Sequence, residues 1–273
     1  MKKIASYFVL LIAFLCNSCE EVVEVDLVTA PPKLVIQASI FWEKGTAGNN
    51  QKIKLTYTTS YYNTNIPKVN GATVYVKNSS GTVFNFVEFS GTGEYICSDF
   101  IPVIDETYTL TINNGTNTYT ATETLKSVAP ITKIVQNNEG GFTGKNIEIK
   151  TFFIDPVNTP NYYLYKYVYS NQIKSNYYVD EDEFFNGNEF FSISQNDDLK
   201  PGNTVEISHY GISKAYFNYM NVLVSIAGNS GGGPFQSPPA TVRGNIINTT
   251  DAKNYPLGYF SLSEVEKKSY TIE

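Results

Sequence analysis

The sequence is poor in the side chains that most catalytic and metal centres use. Its 273 residues include one histidine, three cysteines and a single arginine. Zinc is held mainly by histidine and cysteine, and a catalytic thiol or hydroxyl needs a base beside it. The composition therefore predicts a protein that is not an enzyme and that holds no metal and no other cofactor.

Positive charge is also scarce. The formal net charge is −6, and it becomes −8 if Lys2 and Lys3 leave with an N-terminal signal. Binding to a phosphate backbone or to an anionic bilayer requires clustered lysine and arginine. We therefore expect no nucleic acid partner and no attachment to lipid headgroups through charge.

The N-terminus has the layout of a secretory signal peptide. Lys2 and Lys3 precede an apolar run over residues 4–15, which is broken only by Ser6. That run is about a dozen residues, whereas a spanning helix needs roughly 20. The pattern predicts a cleaved signal over residues 1–18 rather than a permanent transmembrane helix.

The end of this signal resembles the junction of a lipoprotein, where a small residue precedes the cysteine that takes a diacylglycerol. Ser18 precedes Cys19 in this way, whereas Cys16 follows the large Leu15. We predict lipid attachment at Cys19. An ordinary secreted protein is the alternative.

Residues 19–30 begin the mature chain with a run of acidic side chains. These acidic residues directly behind the cysteine resemble the signal that sends lipoproteins of the Bacteroidetes to the outer face of the outer membrane. A solvated tether has the same composition. Both interpretations stay open for the four acidic residues Glu20, Glu21, Glu24 and Asp26.

The next hundred residues favour strands and turns. Valine, isoleucine, threonine and tyrosine alternate with turn residues, and Asn114-Gly115 is a strong signal for a tight hairpin. This spacing predicts a mostly β fold that starts with an immunoglobulin-like antiparallel β-sandwich over residues 31–129.

Residues 130–273 predict a second β-rich domain with one amphipathic helix near residues 213–227. The six apolar residues Tyr216, Phe217, Met220, Leu223, Val224 and Ala227 recur at steps of three and four, so they share one helical face. An aromatic hairpin is expected over residues 184–191 about Asn186-Gly187. Further strands are expected at residues 146–154, 162–173, 204–210, 242–247 and 269–272.

Alternating tyrosines occupy one face of the strand that begins at residue 162. Tyr163, Tyr165, Tyr167 and Tyr169 share this face, and Lys166 lies on the other. Three roles remain possible for the row: packing in the core, binding of a protein partner, or stacking against sugars. Lys166 indicates that its own face of the strand is at least partly exposed to water. This favours the core as the place of the opposite face, which carries the four tyrosines.

Other motifs fit structural roles better than chemical ones. Ser230 lies in a G-x-S-x-G pattern, but a helix is predicted before it rather than after it, unlike a nucleophile elbow. The acidic runs at residues 180–183 and 196–198 lack the ligand spacing of a calcium loop. Cys97 stands alone in a strand-like segment, where a cysteine behaves as a small hydrophobe.

Several segments in chain order resemble a large Bacteroidetes outer-membrane lipoprotein family of unknown function, domain of unknown function 4249. They cover residues 19–27, 31–36, 69–74, 107–112, 155–163, 234–235, 238–240, 242–246 and 257–260. The resemblance implies a β-rich fold and genes beside TonB-dependent outer-membrane receptors. It supplies no catalytic residues.

Arg243 lies in the most family-like of these segments. It is either an anchoring contact, or a structural fork that bridges carbonyls or a carboxylate inside the fold. With the row of tyrosines it completes the set of candidate binding residues.

The expected function is that of an accessory or cargo-binding partner of a TonB-dependent receptor, anchored by lipid and facing outward. The alternative is a free-standing glycan- or peptide-binding lipoprotein, motivated by the tyrosine-rich strands. A hydrolase is a third class, for which no acidic pair stands out in the sequence.

Replacement of Cys19 tests the anchor. We expect Cys19→Ser to lose incorporation of labelled palmitate and to leave the membrane fraction, because the acyl chains provide the attachment. Cys16→Ser is the matched control and should stay membrane-bound. Membrane retention of Cys19→Ser would contradict the prediction.

Overall fold

Alternation of apolar and polar residues places most of the chain in β-strands. A computed structural model describes residues 31–60, 63–141, 143–196, 198–228 and 242–273. The strands within these ranges are β1 Leu34–Glu43, β2 Gln51–Tyr57, β3 Thr73–Asn78, β4 Val83–Phe89, β5 Glu94–Cys97, β6 Thr107–Asn114, β7 Asn117–Thr124, β8 Ile131–Gly140, β9 Asn146–Ile154, β10 Tyr162–Tyr169, β11 Asn176–Glu181, β12 Glu189–Gln195, β13 Thr204–Ile212, β14 Ile247–Asn248 and β15 Leu257–Thr271.

One amphipathic helix, α1, spans Lys214–Gly228, and a short 3₁₀ turn spans Asp182–Phe184. Ser213 caps the helix, since its Oγ accepts the backbone N–H of Tyr216 at 3.1 Å. The helix predicted near residues 213–227 is confirmed, although Leu223 is 38% exposed rather than buried. No helix of the described ranges is long and apolar enough to span a membrane.

Two sheets account for the strands. Twelve strands form one sheet in the order β11-β10-β13-β15-β1-β2-β5-β4-β3-β6-β7-β14, and β12-β9-β8 form the other. The long sheet is curled, and Lys126, just after β7, forms an isolated β-bridge with Ser263 of β15. The fold is mostly β and sandwich-like, as predicted.

The long sheet is not wholly antiparallel. β1 and β15 run parallel, with Val35 opposite Leu257 and Glu43 opposite Val265. The antiparallel prediction concerns residues 31–129, where the strand pairs are antiparallel, and β15 adds a parallel neighbour from outside that range. Parallel neighbours need a long connection between them, and here the connection is nearly the whole chain.

The first core lies inside strands β1 to β7. It is built from alternate residues of these strands, such as Ile36, Leu55 and Leu110. Phe260 and Leu262 of β15 belong to the same core. C-terminal residues thus contribute to the N-terminal core. The domain boundary at residue 129 stays a prediction.

Two further cores lie on the two faces of β10 and β13. One face packs on the sheet of β8, β9 and β12, and the other face is covered by α1. Successive residues of β10 belong to different cores, because side chains alternate along a strand: Tyr163 faces the small sheet and Leu164 faces the helix.

Three local predictions are wrong. Residues 184–191 form no hairpin, because β12 pairs with β9 instead, with Phe190 opposite Phe153. Residues 242–246 are not a strand, and β14 is confined to Ile247–Asn248. The last strand begins at Leu257 rather than at residue 269.

A core substitution in β15 tests whether this strand contributes to the first core. Phe260 is fully buried, so we expect Phe260→Ala to lower the free energy of unfolding by about 3–5 kcal/mol in urea titrations. Val87 is 70% exposed, and Val87→Ala should change the same quantity by less than about 0.5 kcal/mol. Equal effects of the two variants would contradict the assignment.

Candidate functional site

A surface pocket of about 390 Å³ lies between α1 and the segment that enters β14. The segment Val242–Asn245 forms one wall, and the ring of Tyr259 from β15 also lines the pocket. Four residues of α1 also line the pocket, and they lie on one side of the helix because they are related by steps of three and four positions: Ala215, Asn218, Tyr219 and Val222.

Arg243 is the only guanidinium of the chain, and it lines this pocket. Its Cζ lies 4.4 Å from the centroid of the Tyr255 ring, and Nζ of Lys33 lies 3.5 Å from the same centroid. A hydrogen bond with Lys33, followed by the charges of Lys33 and Arg243, lowers the pKa of Tyr255. Two cations therefore share one aromatic ring.

Neither cation is neutralised nearby. Within the part of the chain that the structure describes, no carboxylate oxygen lies within 4.0 Å of Lys33 or Arg243. The side chain of Arg243 is exposed. An exposed side chain without a carboxylate partner among the described residues does not fit a fork inside the fold, and the anchoring contact stays a prediction.

The wall that carries Arg243 is fixed to β15 by its next two residues. The side-chain amide of Asn245 donates to the Phe260 carbonyl at 2.8 Å and accepts the Phe260 N–H at 2.9 Å. A Cβ on Gly244 would lie 1.7 Å from the Gly258 carbonyl oxygen. Only glycine permits this approach, and so the segment has a geometric reason for the glycine and the asparagine that follow Arg243.

An exposed apolar tip, formed by Ile154, Val157 and Phe184, is the second candidate. These side chains are 56%, 65% and 90% exposed, respectively. Ile154 ends β9, Val157 follows it, and Phe184 ends the 3₁₀ turn; the two segments adjoin where Asp155 accepts the backbone N–H of Gly187 at 3.0 Å. Exposure of a phenylalanine to this extent costs hydrophobic free energy unless something covers it.

The four tyrosines of β10 are in the core. Tyr163, Tyr165, Tyr167 and Tyr169 are at most 1% exposed and face the small sheet. A sugar platform or a partner surface requires accessible ring faces, so neither of those two roles fits this row. The core interpretation is the one that agrees with the structure.

Three of the four hydroxyls of the row form hydrogen bonds inside the fold, and that of Tyr165 has no partner among the described residues. The Tyr163 hydroxyl donates to the buried Asp155 carboxylate, which also holds the Gly187 loop. The Tyr167 hydroxyl donates to Thr151 of β9 at 3.1 Å. Burial raises the pKa of Tyr167, so these hydroxyls stay protonated and act as donors that join the two sheets.

The remaining candidate groups for catalysis are withdrawn from solvent. His209 is fully buried against the Tyr165 ring, and burial lowers the pKa of His209 to about 3. Cys97 is 1% exposed, and burial raises the pKa of its thiol to about 11. At neutral pH the imidazole is uncharged and the thiol is protonated.

The acidic runs do not converge on one point. Asp182 is buried and accepts the Asn161 N–H at 2.8 Å, while Glu181 and Glu183 point to solvent. Among the residues that the structure describes, no three His, Cys, Asp or Glu side chains are placed to hold a metal ion. Cys19, Asp197 and Ser230 lie outside the described residues.

Removal of one hydroxyl tests the link between the tyrosine row and the apolar tip. Tyr163→Phe leaves a buried carboxylate with one donor fewer, and we expect a loss of about 1.5–3 kcal/mol in unfolding free energy, measured by urea denaturation. Tyr177→Phe is the control, because Tyr177 is 38% exposed. A loss no larger than that of the control would refute the role of this hydrogen bond.

Solved structures with some likeness to the chain contain fibronectin type-III domains or belong to a cytokine receptor complex. A two-domain fibronectin type-III segment of chicken tenascin is 13% identical and covers 66% of this chain and 90% of its own, with a TM-score of 0.22. The cytokine receptor complex is 8% identical over 67% and 86%, with a TM-score of 0.26. The FN1-FN3 domains of chicken CNTN1 are 13% identical over 67% and 60%, with a TM-score of 0.27.

These scores are too low to carry an argument about function. No curated protein matches the chain. A family model described as domain of unknown function (DUF4249) matches residues 20–269, which is nearly all of the sequence after the predicted signal. The chain therefore belongs to the DUF4249 family.

Proposed function

We propose that this chain is a lipid-anchored lipoprotein of the outer membrane that faces outward and assists a TonB-dependent receptor. The signal that ends at Cys19 and the acidic residues behind it support the anchor and its direction. The burial of His209 and Cys97 keeps both side chains away from a substrate, which favours binding over catalysis.

The observation that carries this proposal is the apolar tip. A phenylalanine that is 90% exposed, on a segment that adjoins one with two exposed aliphatic side chains, is typical of an anchor that fills a pocket on a protein partner. Glu183 directly precedes Phe184, Glu181 lies three residues before it, and both are exposed. The matching surface is therefore an apolar hollow with lysine or arginine at its rim.

The second candidate function is a free-standing glycan- or peptide-binding lipoprotein. The pocket beside α1 favours it, because Arg243, Tyr219 and Tyr259 offer a charge and aromatic surface together. The buried row in β10 no longer supports this alternative. The two functions differ in whether a receptor is bound stably in the membrane.

Capture from detergent-solubilised outer membranes of the producing cells tests the proposal. We expect the tagged chain to recover a TonB-dependent receptor, and Phe184→Ser to reduce the recovered receptor at least tenfold, because it removes the apolar anchor.

Phe89→Ser is the matched control for this experiment. Phe89 is 60% exposed on β4, away from the tip in sequence and in the sheet, so its replacement should leave receptor capture unchanged. Repeated capture of no receptor would overturn the proposal. Equal loss with Phe89→Ser would show that the tip is not the contact.

A further inference from the structure

We propose that the pocket beside α1 binds the carboxylate of an organic acid whose body is aromatic or aliphatic. Arg243 would hold the carboxylate, and Tyr219, Val222 and Tyr259 would cover the apolar body. The pocket volume of about 390 Å³ lies within the range of roughly 300–1,000 Å³ that is usual for small-molecule sites.

The charge argument starts from Arg243. Its guanidinium has no carboxylate within 4.0 Å among the described residues, and the chain as a whole carries a net charge of −6. An unpaired cation that lines a pocket in an acidic protein is a local site for an anion. Lys33, on the same Tyr255 ring, adds positive potential beside it.

The geometry of the guanidinium favours a carboxylate. A guanidinium presents its N–H groups in a planar fork that matches the two oxygens of a carboxylate. The contact of Arg243 with the Tyr255 ring restricts the side chain before a ligand arrives, so less conformational entropy is lost on binding.

The walls restrict what is attached to that carboxylate. Tyr219 and Tyr259 are in ring contact, with centroids 4.6 Å apart, and Ala215 and Val222 extend the same side of the helix. Surfaces of this kind favour an apolar body and penalise a second unpaired charge. A monocarboxylate fits better than a multiply charged phosphate.

The site is held rigidly from both sides. Asn245 pairs with the backbone of Phe260, and Gly244 lies directly on Gly258, so the wall that bears Arg243 cannot retreat from β15. On the other side, Tyr216 and Phe217 of α1 are buried against the sheet. A preformed pocket needs little rearrangement to bind.

Two sources could supply such a group, namely a free aryl- or alkyl-carboxylic acid and the C-terminus of a peptide with an apolar last residue. The inference names a ligand class for the cargo-binding role within the proposed function, on which it rests in part. Its test uses the purified chain without a receptor, so that failure here leaves receptor capture by the apolar tip untouched.

Calorimetric titration with two matched pairs of probes tests the inference. The first pair is 3-phenylpropanoate and 3-phenylpropanamide, and the second is acetyl-Ala-Ala-Phe with a free or an amidated C-terminus. We expect at least one acid to bind at millimolar concentration or below, and its amide to bind at least roughly tenfold more weakly, as for the loss of a charge-assisted hydrogen bond. The acid that binds better identifies the source.

Variants of the pocket give the decisive comparison. Arg243→Met should weaken the bound acid at least roughly tenfold. Lys54→Met, which removes a cation from a separate surface hollow, should leave the affinity unchanged. Because Arg243 is exposed, both variants should fold, which circular dichroism checks.

Amide chemical shifts of the unmodified protein provide a measurement that does not depend on a variant. On addition of the acid, shifts should concentrate at Asn218, Tyr219 and Gly244. Binding of neither acid, equal binding of acid and amide, unchanged binding by Arg243→Met, or shifts centred on Lys54 would each overturn the inference.

Discussion

The parallel pairing of β1 with β15 is the contact on which the rest of the molecule depends. It joins strands near the two ends of the described chain, and all the other described strands lie between them in sequence. From Val265 onward β15 pairs with β13. The strand therefore links the first core to the two others. Contacts between such distant residues carry a large loop-closure entropy, and burial of Phe260 and Leu262 offsets it.

A buried carboxylate fixes the register of this junction. Glu264 accepts Nζ of Lys44 at 2.7 Å and the backbone N–H of Val128 at 2.9 Å. One side chain of β15 therefore holds both the end of β1 and the connection between the first and second cores. Such a group is stable in the interior only because both partners satisfy it.

The candidate pocket is a consequence of the same strand. Tyr259 and the backbone of Phe260 supply its floor and the attachment of its Arg243 wall, while α1 packs on the neighbouring face. The apolar tip depends on a separate pair of loops held by Asp155. Binding of cargo and binding of a protein partner would thus use different parts of one scaffold, and loss of one need not remove the other.

Local patterns in the sequence determined the strand-rich composition, the helix beginning after Ser213, the tyrosine alternation in β10 and the predicted anchor at Cys19. Each of these depends on neighbouring residues, through the period of two or 3.6 or through a short motif. The tertiary structure alone decided that β15 runs beside β1, that the tyrosine row lies under a second sheet, and that Arg243 is exposed on a pocket. These outcomes depend on which distant faces pack together, and alternation of side chains reports that a face exists but not what covers it.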